Sequence, residues 1–516
     1  MIRAWIATRI VDLVAATYDI AIPSPAIDMP KNPDYGDFAT NVAFGLTKQL
    51  RKSPMAIAQE LCDTATTWAG GAGIDFVPLN GFVNLKLHDA LVWKQFDVWS
   101  PTTVTPVSEP KRILLEYVSA NPTGPLHIGH GRWAVIGSCL KDLLVQVGHR
   151  VHSEFYVNDS GNQIALFRSS VAAVRDGRPI PEGGYFGAYI KDLIDAPNPV
   201  EAMRAAHEST LRRIGVVFDQ WFSEQTLHDR GAVADAIGVL RDAGTVYQAD
   251  HAQWFRSTDF GDDKDRVLTK SDGAYTYFAV DCAYHADKMA RAGDRMINIW
   301  GADHHGYVPR VRAMVQALGG VEWASESRFK VVIGQLVGLL KNGEPVRMSK
   351  RTGEMVTLDE IVDEIGSDAT RFFLAMKSSD SAIEFDIEVA KKKSNENPVF
   401  YVQYAHARIC AIYRKLEIDA PTSATHEVLN DAERNVMMWC LQFQDEIHNA
   451  ADNLAPNRMV FFLIELARLV HAMYESSPIL KTEPALQRQR LYILEKARIC
   501  IETGLRLLRI SAPIAM

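Results

Sequence analysis

Two histidines spaced three residues apart mark the segment with the clearest capacity for chemistry. His127 and His130 belong to the run Ser-Ala-Asn-Pro-Thr-Gly-Pro-Leu-His-Ile-Gly-His-Gly at 119–131. The prolines and glycines predict a turn between a strand and a long helix. At the start of a helix both imidazoles share one face, where the helix dipole favours an anion. This arrangement suits a triphosphate whose charge grows during displacement, although a lone HxxH would more often be a pair of capping histidines.

A basic segment is the second candidate. Arg347, Lys350 and Arg351 occur in the run Arg-Met-Ser-Lys-Arg-Thr-Gly at 347–353, shortly after Lys-Asn-Gly. Three cations on a glycine-flanked loop can bind a leaving pyrophosphate, and a mobile loop can bring them to it at the transition state. Taken alone, such a run is more typical of a solvated basic turn.

A third group of polar residues follows an apolar strand that is predicted to end at Trp300. Gly301, Asp303 and His304 come directly after it, which places them at a carboxyl edge of the sheet. The tandem of His304 and His305 raises the question of a metal. Because no cysteine or third histidine is near in sequence, we expect no metal site.

A sheet is needed to bring these segments together. Apolar runs at 113–118 and 151–157 predict two strands joined by the helix that begins near His127, and a right-handed crossover makes such strands parallel. Strand-like segments recur at 275–280, 296–300 and 329–339. The sequence therefore predicts an α/β fold with a Rossmann-like parallel sheet, an N-terminal α+β module and a C-terminal all-α bundle. In such sheets ligands bind at the carboxyl ends of the strands.

Composition and periodicity divide the chain into four intervals. Residues 1–100 form the α+β module, and three prolines within 100–111 indicate a linker. Residues 111–355 form the α/β domain, with a helical insertion at about 170–250. A connecting helical segment at 356–390 leads into the helical bundle at 391–516.

Bulk properties exclude several classes of protein. The 516 residues are 47% apolar, and they contain neither a run that would span a membrane nor a signal-peptide pattern. Six widely spaced cysteines without a CxxC pair indicate reduced thiols in a cytoplasmic protein and no zinc site. The net charge of −8 argues weakly against a nucleic-acid partner, but residues 391–516 carry 16 basic against 14 acidic side chains. A local basic face therefore remains available for phosphates.

The two signature segments together resemble the HIGH and KMSKS motifs of class I aminoacyl-tRNA synthetases. The first matches letter for letter at 127–130, whereas the second has arginine at 347 and 351 and retains Lys350. Further segments are similar to those of the arginyl-tRNA synthetase family, at 35–41, 116–123, 254–266, 270–281, 300–307, 368–371 and 401–408. The resemblance covers nearly the whole chain. Trp133 and Ser138 depart from the small and acidic residues expected there, and for Trp133 we expect only a packing effect.

The resemblance implies that ATP, with Mg²⁺, activates L-arginine and that the arginyl group then passes to tRNA(Arg). It assigns catalysis to His127, His130 and Lys350. It assigns ATP binding to Gly129, Gly301, Asp303, His304, Met348 and Lys350. It assigns arginine binding to Glu116, Ser119, Asn121, Tyr277 and Asp281. It assigns tRNA binding to Phe38, Asn41, Tyr401, Tyr404 and Arg408.

The resemblance has consequences for whole regions as well. The N-terminal module is expected to hold the tRNA elbow, and residues 391–516 are expected to bind the anticodon. A family-like stretch at 156–159 is expected to line the site, without an assigned role. The protein is expected to be a cytoplasmic monomer that binds no membrane.

The physical chemistry of arginine agrees with the assigned carboxylates, but it leaves alternatives. A planar cation with five donors needs carboxylates for paired, charge-assisted hydrogen bonds. Glu116 on an apolar strand would be costly to bury unless a cation pairs with it. Among other amino acids, glutamine fits poorly, while lysine remains compatible on charge. Intact His127, His130 and Lys350 disfavour a silent tRNA-binding paralogue, and the long helical region disfavours a small-molecule nucleotidyltransferase.

Overall fold

The N-terminal module combines four helices with a three-stranded antiparallel sheet. The computed structural model describes residues 2–30, 32–346 and 356–516. The module's elements are α1 (Ile2–Tyr18), β1 (Phe38–Thr40), α2 (Val42–Leu50), α3 (Pro54–Ala65), β2 (Ile74–Leu79), β3 (Phe82–Leu87) and α4 (Asp89–Val98). The strand order is β1-β3-β2. Ser53 caps α3, because its hydroxyl accepts a hydrogen bond from the Ala56 N–H at 3.2 Å.

The α/β region opens with the predicted strand, helix and strand. These are β4 (Arg112–Tyr117), α5 (Ile128–Gln146) and β5 (Arg150–Val157). The chain continues through α6 (Gly161–Arg175), α7 (Ala188–Lys191), α8 (Pro199–Arg213), β6 (Gln220–Ser223), α9 (Gln225–Asp229), α10 (Ala232–Asp242), β7 (Val246–Ala249), β8 (Ala252–Phe255), β9 (Arg266–Thr269), α11 (Tyr277–Ala292), β10 (Arg295–Gly301), α12 (Val308–Gly319) and β11 (Phe329–Gly334).

Five of these strands form one parallel sheet in the order β11-β10-β4-β5-β6. The predicted parallel sheet is therefore confirmed. Strand β4 lies at its centre, with β5 on one side and β10 on the other. The strand order therefore reverses direction at β4. In open α/β sheets ligands bind in the crevice at such a reversal, next to the carboxyl ends of the strands, and the carboxyl end of β4 borders this crevice.

Three segments differ from the sequence-based expectation. The stretch at 275–280 is not a strand, because the Thr276 hydroxyl caps Ala279 and starts α11. The interval 170–250 is largely helical, yet it also contains β6, which pairs with β5 as an edge strand of the sheet. The stretch at 329–339 is divided between β11 and a strand of another sheet. Periodicity detects an apolar run but not the sheet to which it belongs.

The remaining chain is mostly helical. After β11 come β12 (Val337–Lys341), β13 (Glu344–Pro345), α13 (Leu358–Ala375), β14 (Ile383–Asp386) and α14 (Ile387–Lys391), and the three strands pair in the order β13-β12-β14. The bundle comprises α15 (Pro398–Leu416), α16 (Asp431–Cys440), α17 (Phe443–Asp452), α18 (Asn457–Ser476) and α19 (Pro484–Leu507). Within the described residues, no helix is long and apolar enough to cross a lipid bilayer. The six cysteines are unpaired, as predicted.

A fully buried arginine ties the bundle to the helix that carries the first signature. Arg371 on α13 donates to the Leu508 carbonyl after α19 and to the Ile214 carbonyl after α8, both at 2.7 Å. It also donates to the Ser138 hydroxyl on α5 at 2.9 Å. Ser138, where the family pattern has an acidic residue, is thus a hydrogen-bond acceptor for a buried cation. The end of the chain therefore packs directly beneath the α/β region.

The N-terminal module is attached to the bundle through another arginine. Arg434 on α16 forms two hydrogen bonds with the Asp37 carboxylate, at 2.7 and 2.8 Å, and a third with Asp89 at 3.1 Å. Paired, charge-assisted contacts of this kind impose a definite orientation. The module is consequently held against the bundle and not only through the linker.

Candidate active site

The first signature begins at a strained turn directly after β4. Val118 and Ser119 have φ angles of 74° and 44°, which is left-handed backbone that costs energy, most of all for a β-branched residue. The Ser119 hydroxyl returns to the strand and donates to Glu116 Oε1 at 2.8 Å. The strain therefore lies beside two of the residues predicted to bind arginine.

The two signature histidines are stacked at the start of α5. Their ring centroids are 3.7 Å apart and the ring planes are inclined by 24°. Nδ1 of His127 accepts from the Gly129 N–H at 3.1 Å, and Nδ1 of His130 accepts from the His127 N–H at 3.3 Å. With Nδ1 an acceptor in each ring, the Nε2 atom is the one that carries a proton and can donate. Glycine is needed at 129, since a Cβ there would lie 2.9 Å from the His127 ring.

The loop between β4 and α5 is held by the helices that follow β5. Asn121 donates its side-chain amide to Gln163 at 2.7 Å, and the Tyr189 hydroxyl donates to the Thr123 carbonyl at 2.9 Å. Nε2 of His207 lies 2.7 Å from the Gly124 carbonyl. Burial lowers the pKa of His207 to about 4, so the ring is neutral and Nε2 is the donor. The predicted helical insertion thus supports the first signature.

The second signature, at 347–353, lies outside the described residues, and with it Met348 and Lys350. The first residues after it are described. Thr357 forms a β-bridge with His127, and the Leu358 N–H donates to the Leu126 carbonyl at 2.8 Å. The chain that follows the second signature therefore passes directly beside the first.

Three carboxylates from three elements form an acidic cluster, defined as Glu116 on β4, Glu224 after β6 and Asp281 on α11. Glu116 is 5% exposed, and its Oε2 accepts from Lys288 Nζ at 2.6 Å. Tyr156, near the end of β5, donates its hydroxyl to Glu224 Oε2 at 2.7 Å. The cation that the burial of Glu116 requires is thus supplied by the chain itself.

Burial and the neighbouring charges together change the acidity of Asp281. Burial raises the pKa of Asp281 to about 7, with further contributions in the same direction from Glu116 and Glu224 and opposing ones from Lys288 and Arg310. At neutral pH this carboxyl group is poised between its two forms, and an incoming cation would favour the ionised one. The cluster can therefore respond to a positively charged ligand.

Tyr277 is an exposed side chain on the same helix as Asp281. It is 55% exposed at the first position of α11, one helical turn before Asp281. Its hydroxyl borders the start of α6, where a Cβ on Gly161 would lie 3.5 Å from it. Glu116, Ser119 and Asp281 thus lie close to one another, with Tyr277 one helical turn from Asp281 and Asn121 on the adjacent loop.

The predicted nucleotide residues line the carboxyl end of β10. Gly301 ends the strand, and a Cβ there would lie 2.6 Å from Asp303 Oδ1. Asp303 and His304 are exposed and lie 3.6 Å apart. In the described part of the chain, no group of three or more His, Cys, Asp or Glu side chains is placed to hold a metal.

Trp133 on α5 packs against the ends of two strands of the sheet, in keeping with the expected packing effect. Its indole covers Gly334, the last residue of β11, so closely that a Cβ there would overlap the ring. Its Nε1 lies near Gly301, since a Cβ on that glycine would be 3.7 Å from it. The indole therefore closes the crevice over the ends of β10 and β11, beside the predicted nucleotide residues.

The residues predicted to bind the anticodon share one face of α15. Tyr401 and Tyr404 both contact the His471 ring of α18, with centroids 4.7 and 5.7 Å apart. The Arg408 guanidinium lies 3.5 Å from the centroid of Tyr474 and 5.9 Å from that of Tyr404. Tyr404 is partly exposed, whereas Tyr401 is largely covered by the helix packing.

One predicted tRNA contact in the N-terminal module is contradicted. Phe38 is 0% exposed on β1 and belongs to the apolar core of the module, so it cannot meet a nucleic acid. Asn41, just before α2, is exposed. Close to it in sequence, Phe44 forms an exposed edge-to-face pair with Phe82, with ring centroids 5.3 Å apart. The assignment of Phe38 was carried over from the family resemblance, which does not say which side of the strand is buried.

Comparison with known proteins is consistent with this geometry. Residues 100–178 and 205–407 match the family model of the class I (R) tRNA synthetase catalytic domain. The fold and the site therefore define a class I aminoacyl-tRNA synthetase. Residues 2–87 match the arginyl tRNA synthetase N-terminal domain, and residues 402–516 match the DALR anticodon-binding domain. The chain belongs to the arginyl-tRNA synthetase family, as its signature segments indicated.

Individual relatives agree over the full length. The arginine–tRNA ligase of Citrifermentans bemidjiense is 40% identical, over 95% of this chain and 95% of its own. A solved structure assigned as an arginyl-tRNA synthetase from Campylobacter jejuni is 33% identical, with a TM-score of 0.76, over 83% of this chain and all of its own. The arginyl-tRNA synthetase of Thermus thermophilus, at 21% identity, shares the fold over both entire chains with a TM-score of 0.83.

Sequence reasoning missed two side chains of the site and gave no role to a third. Glu224 and Lys288 gave no local signal, since a single charged residue beside a strand or on a helix is ordinarily solvated. Tyr156 was expected to line the site without a role, and it proves to be the donor to Glu224. Asp159 of the same stretch accepts from the Ser223 hydroxyl at 2.6 Å and so joins the ends of β5 and β6.

Proposed function

We propose that this chain is an arginine–tRNA ligase in which the acidic cluster selects the guanidinium group and the stacked histidines stabilise the transferring phosphate. The observation that carries the proposal is the position of both groups at the carboxyl end of β4, where Ser119 links the signature loop to Glu116 at 2.8 Å. The acidic cluster can thus neutralise the guanidinium of arginine while the arginine carboxylate faces ATP.

The reaction has two steps. An oxygen of the arginine carboxylate attacks the α-phosphorus of MgATP, and the bond from that phosphorus to the bridging oxygen of pyrophosphate breaks. A terminal ribose hydroxyl of tRNA(Arg) then attacks the carbonyl carbon of arginyl-adenylate, and AMP leaves. His127 and His130 are hydrogen-bond donors to the phosphate charge as it grows, and they transfer no proton. Lys350 adds a positive charge toward the pyrophosphate.

The remaining substrate contacts are carried over from the resemblance to the family. Gly129, Gly301, Asp303, His304 and Met348 bind the nucleotide. Glu116, Asp281 and Tyr277 hold the guanidinium and its surroundings, while Ser119 and Asn121 bind the amino-acid end. A planar, bidentate cation matches several carboxylates arranged around one opening better than the single ammonium of lysine does. Glu224, fixed by Tyr156, completes the acidic wall.

An assay across amino acids tests the proposal. The purified full chain is incubated with MgATP and total tRNA, and pyrophosphate exchange is measured with each of the twenty amino acids. We expect exchange and tRNA charging with L-arginine alone. Equal exchange with lysine would contradict the proposed specificity, and exchange without any charging of tRNA would contradict the ligase activity.

We expect arginine affinity to increase with pH through neutrality. In the unliganded fold Asp281 stays protonated up to its pKa of about 7, whereas in the unfolded chain it ionises at lower pH. The unliganded fold therefore loses stability as pH rises toward 7. A bound guanidinium favours the ionised form, and below pH 7 arginine must displace a proton. Calorimetric titrations should show about tenfold tighter binding at pH 8 than at pH 6. A Kd that is flat over this range, or a slope retained in Asp281→Asn, would contradict the assignment.

We infer that the exposed aromatic and cationic side chains of α15 bind the anticodon loop. Aromatic rings beside a guanidinium suit unstacked bases and nearby phosphates. Tyr404→Ala combined with Arg408→Ala should weaken tRNA binding by roughly tenfold or more, while ATP affinity stays unchanged. Filter binding with labelled tRNA(Arg) measures the effect. Phe461→Ala, which alters an exposed aromatic on α18, is the matched control, and an equal loss there would contradict a specific site.

We also propose roles for the outer regions of the chain. The exposed surface of the N-terminal module around Asn41 holds the tRNA elbow, and residues 391–516 form the anticodon-binding domain. Point variants are the suitable test for the latter, because removing the bundle would leave Arg371 without its partner at Leu508. We expect a cytoplasmic monomer, consistent with six unpaired cysteines.

A further inference from the structure

The cation paired with Glu116 is a lysine that is wholly enclosed by the fold. Lys288 on α11 is 0% exposed. Its Nζ donates to Glu116 Oε2 at 2.6 Å and to Asn298 Oδ1 at 3.0 Å, and it lies 4.4 Å from the centroid of the Tyr284 ring. A buried ammonium is tolerated only when its donors are satisfied. This lysine is therefore a fixed charge of the structure and not a mobile surface group.

The partners of Lys288 are themselves held in place. The Asn298 amide on β10 donates to Nε2 of His285 at 3.2 Å, and Nδ1 of His285 donates to the Asp281 carbonyl at 2.9 Å. Burial, and next the charge of Lys288, hold the pKa of His285 well below its ordinary value, so this ring stays neutral. A continuous hydrogen-bond network thus runs from the backbone of Asp281 to the carboxylate of Glu116.

Without this lysine the acidic cluster would carry a larger excess of negative charge. The acidic cluster would carry three negative charges in a poorly hydrated space, against one positive charge on a guanidinium. Carboxylates so arranged raise one another's proton affinity and become neutral at pH 7. A neutral cluster would have to lose protons before it could bind a cation.

We propose that Lys288 is a positioning residue of the arginine site: it holds the Glu116 carboxylate in place and supplies a fixed positive charge that offsets the acidic cluster, so that a guanidinium has fewer protons to displace when it binds. This inference rests on the proposed function. Lys288 does not touch the substrate and acts through Glu116. The Glu116 Oε1 edge, which meets Ser119, is the part of the carboxylate turned toward the signature loop.

Several other groups face this network and must be considered in any pH dependence. They are Tyr277, Asp281, Cys282, Tyr284, His285 and Arg291 on α11, Glu154 and Tyr156 on β5, Glu224 and His228 at α9, and Arg310 on α12. His228 lies 3.9 Å from Glu224 and so directly contacts the acidic cluster. His228→Gln is therefore included to remove its contribution.

The test measures L-arginine binding by calorimetry from pH 6 to pH 8.5, with the full chain and without ATP or tRNA. In Lys288→Met we expect the midpoint of the pH dependence to rise by about one unit or more. At pH values below the midpoint, the arginine affinity of Lys288→Met should be about tenfold lower than that of the parent for each pH unit by which the midpoint rises. This difference in affinity should shrink toward pH 8.5. Lys288→Arg retains the charge and should leave the midpoint in place, even if affinity falls.

A second variant keeps the test decisive if Lys288→Met does not fold. Glu116→Gln leaves the buried lysine uncompensated, so the midpoint should move downward, opposite to the shift in Lys288→Met. Lys141→Met removes another lysine paired with a carboxylate, Asp219 at 2.8 Å on the outer part of the sheet, and should leave the midpoint unchanged. Adding Lys288→Met to Glu116→Gln should return the midpoint toward that of the parent.

The possible outcomes separate the two proposals. A loss of affinity in Lys288→Met that is equal at every pH would show a merely structural lysine and overturn the inference. Midpoints that move in the same direction in Lys288→Met and Glu116→Gln would overturn it as well. If the parent chain does not bind arginine at any pH, it is the proposed function that fails.

Discussion

Replacing His130 with alanine is expected to slow arginine activation by on the order of 10²-fold or more, with little change in arginine affinity. The imidazole Nε2 is a donor toward charge that develops on the phosphate, so its loss affects the transition state more than the ground state. The measurement is pyrophosphate exchange in the presence of tRNA, with arginine and ATP at saturating concentrations. We expect a loss of similar size for Lys350→Ala, which removes a charge from the second signature.

Two amide variants separate the chemical role of His130 from its structural one. His130 Nδ1 also accepts the His127 N–H at 3.3 Å. Asparagine can replace that acceptor but not the Nε2 donor, whereas glutamine can replace the donor. We therefore expect His130→Asn to be as slow as the alanine variant and His130→Gln to recover part of the rate. His152→Ala, an exposed histidine on β5, is the control. Full activity in His130→Asn would contradict the proposed role.

Glu116→Gln and Asp281→Asn are each expected to weaken arginine binding by very roughly 2–5 kcal/mol. That range corresponds to a rise in Kd of about 30-fold to 5,000-fold. Each substitution removes one charge that the guanidinium needs, and in Glu116→Gln the buried Lys288 adds a repulsive charge next to the site. ATP binding should be nearly unaffected, because the nucleotide residues lie at the end of β10. Equilibrium titrations with arginine and, separately, with ATP measure both quantities.

The size of the effect at Asp281 should depend on pH. Because its pKa is about 7, the parent loses affinity in acid and the amide variant does not, so the two should converge as pH falls below neutrality. Asp229→Asn changes an exposed carboxylate on α9, five residues after Glu224, and should bind arginine like the parent. If both site variants retain the parent's affinity at pH 8, the assignment of arginine binding to these positions is wrong.

The predicted fold was largely confirmed where the signal was local. The strands at 113–118 and 151–157 are apolar runs bounded by turn residues, and the structure shows both within one residue of those limits. The start of α11 was misread, because an apolar run of five or six residues fits a strand or a helix equally well, and only the Thr276 cap decides between them. Strand β6 was missed because four residues at a sheet edge carry too little pattern.

What the sequence by itself determined was the identity and order of the signature segments. The turn at 119–131 depends on proline, glycine and histidine spacing, which are local properties of the chain. The structure places His127 at the cap of α5 and His130 in its first turn, with the two rings stacked. The resemblance assigned Phe38 to tRNA binding, but a local motif does not say which face of a strand is buried.

Only the tertiary structure decided how the proposed arginine site is charged. Glu116 and Lys288 are 172 residues apart, and Glu224 enters from an edge strand that the sequence did not reveal. Whether a carboxylate is ionised, or how strongly a lysine is held, depends on which charges surround it in a poorly hydrated space. That arrangement arises when the sheet order β10-β4-β5-β6 and helix α11 pack together, and no local pattern encodes it.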